Sequence, residues 1–121
     1  ASRGLGDVYK RQGDSIVGRH VNMGAVSRLA NLQFRCKDQK LKGFIHPIQL
    51  PLESEELNTG MEKLGAVVGE FTELGCNAVL CPGSLIGKEV WVFPNLMVPK
   101  GYYPPNMVLA SKDRKPRIFE K

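Results

Sequence analysis

The chain has 121 residues and a formal net charge of +5, of which +2 comes from residues 2–12. The remaining excess includes no basic stripe interleaved with aromatic residues, so the sequence favours an anionic small ligand over nucleic acid. No apolar run approaches the roughly 18 residues of a membrane span. Three cysteines without zinc-type spacing predict a reduced, cytoplasmic setting.

The first segment, residues 2–12, resembles a translated sequencing-library adapter rather than a protein segment. It reads Ser-Arg-Gly-Leu-Gly-Asp-Val-Tyr-Lys-Arg-Gln, and back-translation of its second half can give a transposon end in frame. Processing scars are excluded from fold reasoning, so residues 1–12 are set aside. We expect the native segment to begin near Gly13 and to be a fragment of a longer protein.

From residue 13 onward the chain repeats with a period of six. Apolar residues recur at every sixth position in two blocks: Val17, Met23 and Leu29, then Val68, Leu74, Leu80, Ile86, Val92 and Val98. This period fits short strands of fixed inward phase joined by turns, whereas helical apolar positions recur about every 3.6 residues. Fixed-period repetition on this scale predicts a parallel β-helix in which three hexads form one triangular coil. The blocks therefore predict about one coil and two coils.

Small residues occupy two further places of the hexad. The residue after the inward position is glycine in five hexads, at Gly18, Gly24, Gly69, Gly75 and Gly87. The fifth place is often small, as at Ser27, Thr72, Ala78 and Ser84. Both features suit a column with narrow corners.

Residues 35–63 interrupt the repeat. Alternating and β-branched residues lie between Lys40 and Leu50, but Pro47 and Pro51 exclude a long central strand. Residues 54–56 and 58–60 are turn or cap signals, and an excursion of this length is usually functional or interfacial. After Val98 we expect the repeat to end. The β-helix domain is assigned to residues 13–109, and the charged tail, 110–121, is expected to leave it.

Four motifs resemble one protein family. They are Gly-Asp-Ser-Ile-Val-Gly from Gly13, Val-Asn-Met-Gly-Ala from Val21, Leu-Ala-Asn-Leu from Leu29, and Thr-Gly-Met-Glu-Lys-Leu-Gly-Ala from Thr59. The family is the carboxyl-terminal domain of bifunctional sugar-1-phosphate nucleotidyltransferases, including the glucosamine-1-phosphate acetyltransferase/N-acetylglucosamine-1-phosphate uridylyltransferases. The resemblance covers residues 13 to about 109. It implies an all-β fold, a left-handed parallel β-helix with an extended loop insertion.

The resemblance also implies an activity, which is acetyl transfer from acetyl-CoA to the amino group of a hexosamine 1-phosphate. The sites would lie in clefts between the prisms of a homotrimer. Asn22 and Asn31 fall at positions that contact the acceptor sugar, and Lys37 falls near a position that faces its phosphate. For Asn31 an asparagine ladder is the rival interpretation, and Lys37 is equally explained by a solvated cationic cluster.

The same resemblance places the coenzyme. Ala25, Cys76 and Pro94 fall where the pantetheine arm lies along the coils. Lys112 and Arg114 are candidates, on charge alone, for the coenzyme's phosphates. No metal is expected in this domain, because the nucleotidyltransferase domain that precedes it in the family would carry it.

Departures from the family pattern leave a second hypothesis open. The family's catalytic histidine and its companion tyrosine fall on Val8 and Arg11, inside the adapter-like lead, so we expect this fragment to lack its general base and to be inactive. Val26 replaces a family glycine, and Phe93-Pro94 replaces a small pair, which weighs against tight coenzyme binding. The alternative is a non-catalytic β-helix that trimerises or regulates a nucleotidyltransferase domain.

For the histidines, cysteines and the tryptophan we expect structural roles rather than catalytic or metal-binding ones. His20 is expected at a solvated turn and His46 in an ordinary loop contact, and two histidines do not make a three-imidazole metal site. Cys76 and Cys81 are expected to be small packing residues rather than nucleophiles. Trp91 is expected to be an interface or ledge aromatic rather than a platform for a sugar.

Overall fold

Three parallel sheets form the walls of a triangular prism in the computed structural model, which describes residues 14–43, 46–52, 55–112 and 120. Sheet I contains β1 (Ile16–Val17), β6 (Val67–Val68), β9 (Leu85–Ile86) and β12 (Tyr102–Tyr103). Sheet II contains β2 (Asn22–Met23), β7 (Glu73–Leu74), β10 (Trp91–Val92) and β13 (Val108–Leu109). Sheet III contains β3 (Arg28–Leu29), β8 (Val79–Leu80) and β11 (Met97–Val98). The fold is a left-handed parallel β-helix, as predicted.

The core consists of the second residue of each strand. Eight of these residues are buried: Met23, Leu29, Val68, Leu74, Leu80, Ile86, Val92 and Val98. They form one hydrophobic cluster with Ala66, Ala78 and Val90 from the corners. The predicted inward positions therefore line one continuous interior.

Buried hydroxyl groups at the corners satisfy the backbone. The hydroxyl of Ser27 donates to the carbonyl of Gly24 at 2.7 Å, and that of Ser84 donates to the carbonyl of Cys81 at 2.6 Å. The Ser27 and Ser84 residues are fully buried. Because a buried polar group without a partner is costly, these bonds explain why small hydroxyl residues are compatible with the corners.

The expectation that the repeat ends after Val98 is wrong. Strand β12 pairs in parallel with β9, so that Tyr103 lies opposite Ile86, and β13 pairs with β10. Tyr103 follows Val98 at the fifth position instead of the sixth, and this shortened turn shifts the period that the pattern depended on. The hydroxyl of Tyr103 donates to the carbonyl of Pro99 across the turn at 2.7 Å. The second block therefore extends for two strands beyond its predicted two coils.

The excursion folds into a short helix and a hairpin, neither of which the sequence pattern predicted. Helix α1 (Lys37–Lys42) begins where the Cys36 N–H donates to the side-chain oxygen of Gln39 at 2.9 Å, and it ends at Gly43, whose φ is 74°.

None of the described residues forms a helix long and apolar enough to span a bilayer.

The hairpin pairs β4 (Gln49–Pro51) with β5 (Glu56–Asn58) in antiparallel register. Two of the three residues of β5, Glu56 and Asn58, were expected in turns or caps. Ile48, just before β4, is fully buried and anchors the excursion. Its carbonyl accepts the hydroxyl of Thr59 at 2.7 Å, and its N–H donates to the carbonyl of Met61 at 2.8 Å.

Candidate functional site

A column of exposed residues lies where sheet II turns toward sheet III. Ala25, Cys76 and Pro94 each lie two residues beyond the end of a sheet II strand, in three successive coils, and all three are exposed. The N–H of Asn77 donates to the carbonyl of Ala25 at 2.9 Å, and that of Asn95 donates to the carbonyl of Cys76 at 3.0 Å. The structure therefore brings together the three residues predicted for the coenzyme arm. We call them the corner column.

Glycines hold the coils of the corner column close together. A Cβ on Gly24 would lie 2.6 Å from the backbone nitrogen of Cys76, and one on Gly75 would lie 2.5 Å from that of Pro94. Adjacent strands are about 4.8 Å apart, so the column offers an extended ligand a rigid path with little side-chain bulk.

Beside the corner column runs a line of residues in the left-handed region. Val26, Asn77 and Asn95 have φ values of 61°, 60° and 59°. The side-chain nitrogen of Asn77 donates to the side-chain oxygen of Asn95 at 2.9 Å. A β-branched residue in this conformation is strained by about 1–2 kcal/mol, so Val26 keeps the backbone shape that glycine favours.

Of the two cationic candidates for the coenzyme's phosphates, Lys112 is among the described residues and Arg114 is not. Lys112 is exposed and lies three residues beyond β13, the same offset that Asn95 has from β10. That shared offset is the one geometric feature that relates Lys112 to the line containing Asn77 and Asn95. Arg114 lies outside the described residues, as do Val8 and Arg11.

The three residues predicted for the acceptor sugar lie on different parts of the protomer. Asn22 opens β2 and is exposed on the outward face of sheet II. Asn31 is half-buried beyond β3, and its side-chain nitrogen donates to a carboxylate oxygen of Asp14 at 2.7 Å. Lys37 is exposed at the start of α1, on the excursion. The observed asparagine ladder joins Asn77 to Asn95, whereas Asn31 bonds to Asp14.

Outward residues give the three sheets different surfaces. The first residue of each strand points outward. On sheet I these residues are Ile16, Val67, Leu85 and Tyr102; on sheet II they are Asn22, Glu73, Trp91 and Val108; on sheet III they are Arg28, Val79 and Met97. Only sheet I has an entirely apolar outward row, which we call the sheet I stripe. Glu73 was not among the predicted site residues, because only the register of the strands shows which side chains stand beside it.

At the corner between sheets I and II, two side-chain pairs connect successive coils. The rings of His20 and Phe71 stack with their centroids 4.9 Å apart. A guanidinium nitrogen of Arg19 lies 3.4 Å from a carboxylate oxygen of Glu70. His20 has a φ of 57°, so it occupies the predicted turn, where it packs against an aromatic ring.

Burial makes the Cys81 thiol a poor nucleophile. Burial raises the pKa of the Cys81 thiol, which lowers its thiolate fraction near neutral pH. Burial also raises the pKa of Tyr103, with a smaller contribution from Cys81. Over residues 14–43, 46–52 and 55–112, no group of three metal-ligating side chains comes together.

Comparisons with known proteins give relatives of one kind. The chain is 31% identical over 86 residues to a bifunctional sugar-1-phosphate nucleotidylyltransferase/acetyltransferase of Sulfurisphaera tokodaii, a match that covers 71% of this chain and 19% of the relative. It is also 31% identical over 86 residues to the bifunctional protein GlmU of Methanococcus aeolicus, covering 71% of this chain and 18% of that protein. The chain thus spans about a fifth of the length of the curated relatives it matches.

A solved structure of serine acetyltransferase isoform 3 from Entamoeba histolytica superposes with a TM-score of 0.48 at 11% identity, covering 89% of this chain and 36% of that one. No family model matches the sequence.

Proposed function

We propose that this chain, a homologue of the bifunctional sugar-1-phosphate nucleotidyltransferase/acetyltransferases, is the acetyl-transfer domain of such an enzyme. Its coenzyme would be acetyl-CoA, and its acceptor would be the amino group of a hexosamine 1-phosphate. The longer protein would also contain a nucleotidyltransferase domain, which would hold the metal. The corner column is the observation that carries this proposal.

The corner column suits an acyl-pantetheine arm for physical reasons. The arm is long and thin and carries amide groups. It therefore needs a path with small side chains, along which its amides can bind to the backbone of the protein. Ala25 and Cys76 provide that path, and the glycines before them keep the coils in contact. Pro94 continues the path but offers no N–H donor, so we expect the arm to be held less tightly at its coil.

The reaction requires a base for the ammonium proton and donors for the developing oxyanion. By the family pattern the base is a histidine upstream of Gly13, where this chain has the adapter-like lead. We therefore expect this fragment to bind acetyl-CoA without transferring the acetyl group. A longer protein that has a histidine and a tyrosine at the positions of Val8 and Arg11 is expected to catalyse acetyl transfer.

Calorimetric titration with acetyl-CoA tests the proposal. The chain is expected to bind it, and Cys76→Trp is expected to weaken binding by about tenfold or more because the indole fills the corner column. Cys36→Trp is the matched control, since Cys36 is also exposed but lies on the excursion. Absence of binding, or equal affinity in the two variants, would overturn the proposal and favour a non-catalytic β-helix.

We also propose that the chain assembles as a homotrimer through the sheet I stripe. Ile16 is 64% exposed and Tyr102 is 44% exposed, and both lie in an unbroken apolar row with Val67 and Leu85. Contiguous exposed apolar surface of this kind marks an interface.

Replacing Ile16 by aspartate is expected to convert the trimer to a monomer, because the carboxylate would be buried without a partner. Sedimentation equilibrium measures the change in mass. Leu57→Asp is the matched control, because Leu57 is 51% exposed on the hairpin and lies away from sheet I. A monodisperse monomer of the unaltered chain would contradict the assignment.

A further inference from the structure

Three different side chains stand in register on the outward face of sheet II. Asn22 lies opposite Glu73, and Glu73 lies opposite Trp91, in three successive strands. Adjacent strands are about 4.8 Å apart, and side chains in register on one face are neighbours. All three are exposed, Trp91 by 58%. An amide, a carboxylate and an indole therefore form one row, which we call the sheet II row.

The backbone beneath the sheet II row is fixed by hydrogen bonds between coils. The N–H of Asn22 donates to the carbonyl of Thr72 at 3.0 Å, and the N–H of Glu73 donates to that of Val90 at 2.9 Å. Trp91 is held in the same way by the carbonyl of Met107 at 3.0 Å. Groups on a rigid sheet are held in place before a ligand arrives, which lowers the entropic cost of binding.

The carboxylate of Glu73 is available to a ligand. Glu70, three residues before Glu73 in the same coil, is paired with the guanidinium of Arg19. Within the part of the chain that the structure describes, the Glu73 side chain makes no ion pair or hydrogen bond. A free carboxylate beside an exposed indole attracts an organic cation, by charge on one side and by the ring quadrupole on the other.

We infer that Glu73 recognises the ammonium group of the acceptor sugar and thereby selects amino sugars over sugars that carry a hydroxyl there. This inference rests on the proposed function and adds a specificity-determining residue to it. Glu73 precedes Cys76 by three residues in the same coil, so the backbones of the two residues are at most about 10 Å apart, within the span of a sugar phosphate and an acyl arm bound together. Asn22 borders the carboxylate on one side, and the indole of Trp91 borders it on the other.

The test compares glucosamine 1-phosphate with glucose 1-phosphate, which differ at one substituent. Calorimetry on the chain is expected to show about fivefold tighter binding of the amino sugar, the upper range for an ion pair at an exposed site. Glu73→Gln is expected to remove this preference and to leave the affinity for glucose 1-phosphate within about twofold of its original value. Because the chain contains one tryptophan, its emission reports whether the ligand sits at Trp91.

Glu89→Gln is the matched control, since Glu89 is exposed, lies in the coil of Trp91 and carries the same charge. It is expected to keep the preference. If glucosamine 1-phosphate stays favoured in Glu73→Gln, or if both variants lose the preference, the role of Glu73 is refuted while the proposed function stands. Unchanged tryptophan emission at saturation also refutes it. If neither sugar phosphate binds the unaltered chain, the proposed acceptor and the role of Glu73 both fail.

Discussion

Gly69→Ala is expected to lower the free energy of unfolding by about 3 kcal/mol, the cost of forcing extra atoms into a packed interior. A Cβ on Gly69 would lie 2.5 Å from the backbone nitrogen of Lys88 and 2.6 Å from the carbonyl carbon of Gly87. Both atoms belong to the backbone of the next coil, so neither can turn aside as a side chain could. Relief requires the coils to separate, which would stretch the hydrogen bond from the N–H of Gly69 to the carbonyl of Ile86, now 2.8 Å. Urea unfolding followed by circular dichroism measures the change.

Gly101→Ala is the control for this prediction. The atoms nearest a Cβ at Gly101 belong to the ring of Tyr103, at 3.4 Å or more, which is ordinary contact distance. Its stability is expected to change by less than about 1 kcal/mol, because a Gly-to-Ala change at an unstrained site chiefly restricts the unfolded chain. Similar losses in the two variants would show that the backbones of the two coils do not approach this closely at Gly69.

Glycine position is one feature of the fold that could be read from the sequence. The five glycines that follow an inward residue are the ones whose Cβ would meet backbone of the next coil, at 2.5–2.7 Å: Gly18, Gly24, Gly69, Gly75 and Gly87. Regular spacing made them predictable, since each repeat places the same backbone contact at the same offset. The repeat also predicted the buried aliphatic residues, because side-chain direction in a strand alternates with a fixed period.

The parts that could not be predicted are those in which the period fails. The turn between Val98 and Tyr103 is one residue short, so a search at a fixed spacing loses β12 and β13. Helix α1 has six residues, too few to show a 3.6-residue period, and it depends on local capping at Cys36 and Gly43. Strand β5 is exposed along its whole length, so it carries no alternation of apolar and polar residues.

The residues of the candidate site were likewise predictable only in part. The corner column could be placed because its members share one offset from the inward residues, and the family resemblance supplied the meaning. The sheet II row was missed because outward residues follow no apolar rule, and only the register of three strands shows that Glu73 stands between Asn22 and Trp91. Spacing along the chain does not reveal which of many exposed charged residues stand beside one another.

Leu80→Ala is expected to cost about 3–4 kcal/mol of unfolding free energy, through lost hydrophobic transfer and the cavity left behind. Leu80 is fully buried, and it lies in β8, between Leu29 of β3 and Val98 of β11 in the same sheet. Because strands above and below hold the backbone at fixed separation, the walls cannot close over the missing atoms, so the cavity remains.

Leu109→Ala makes the same chemical change at the last strand, where Leu109 is half-buried and β13 is paired on one side only, with β10. There the edge can relax, and the cost is expected to be about 1 kcal/mol. Both variants are compared by denaturant unfolding at one chain concentration, because assembly would make stability depend on concentration. Equal losses at Leu80 and Leu109 would mean that the interior is not a continuous column supported from both ends, and every role assigned from the stacking of coils would then lose its basis.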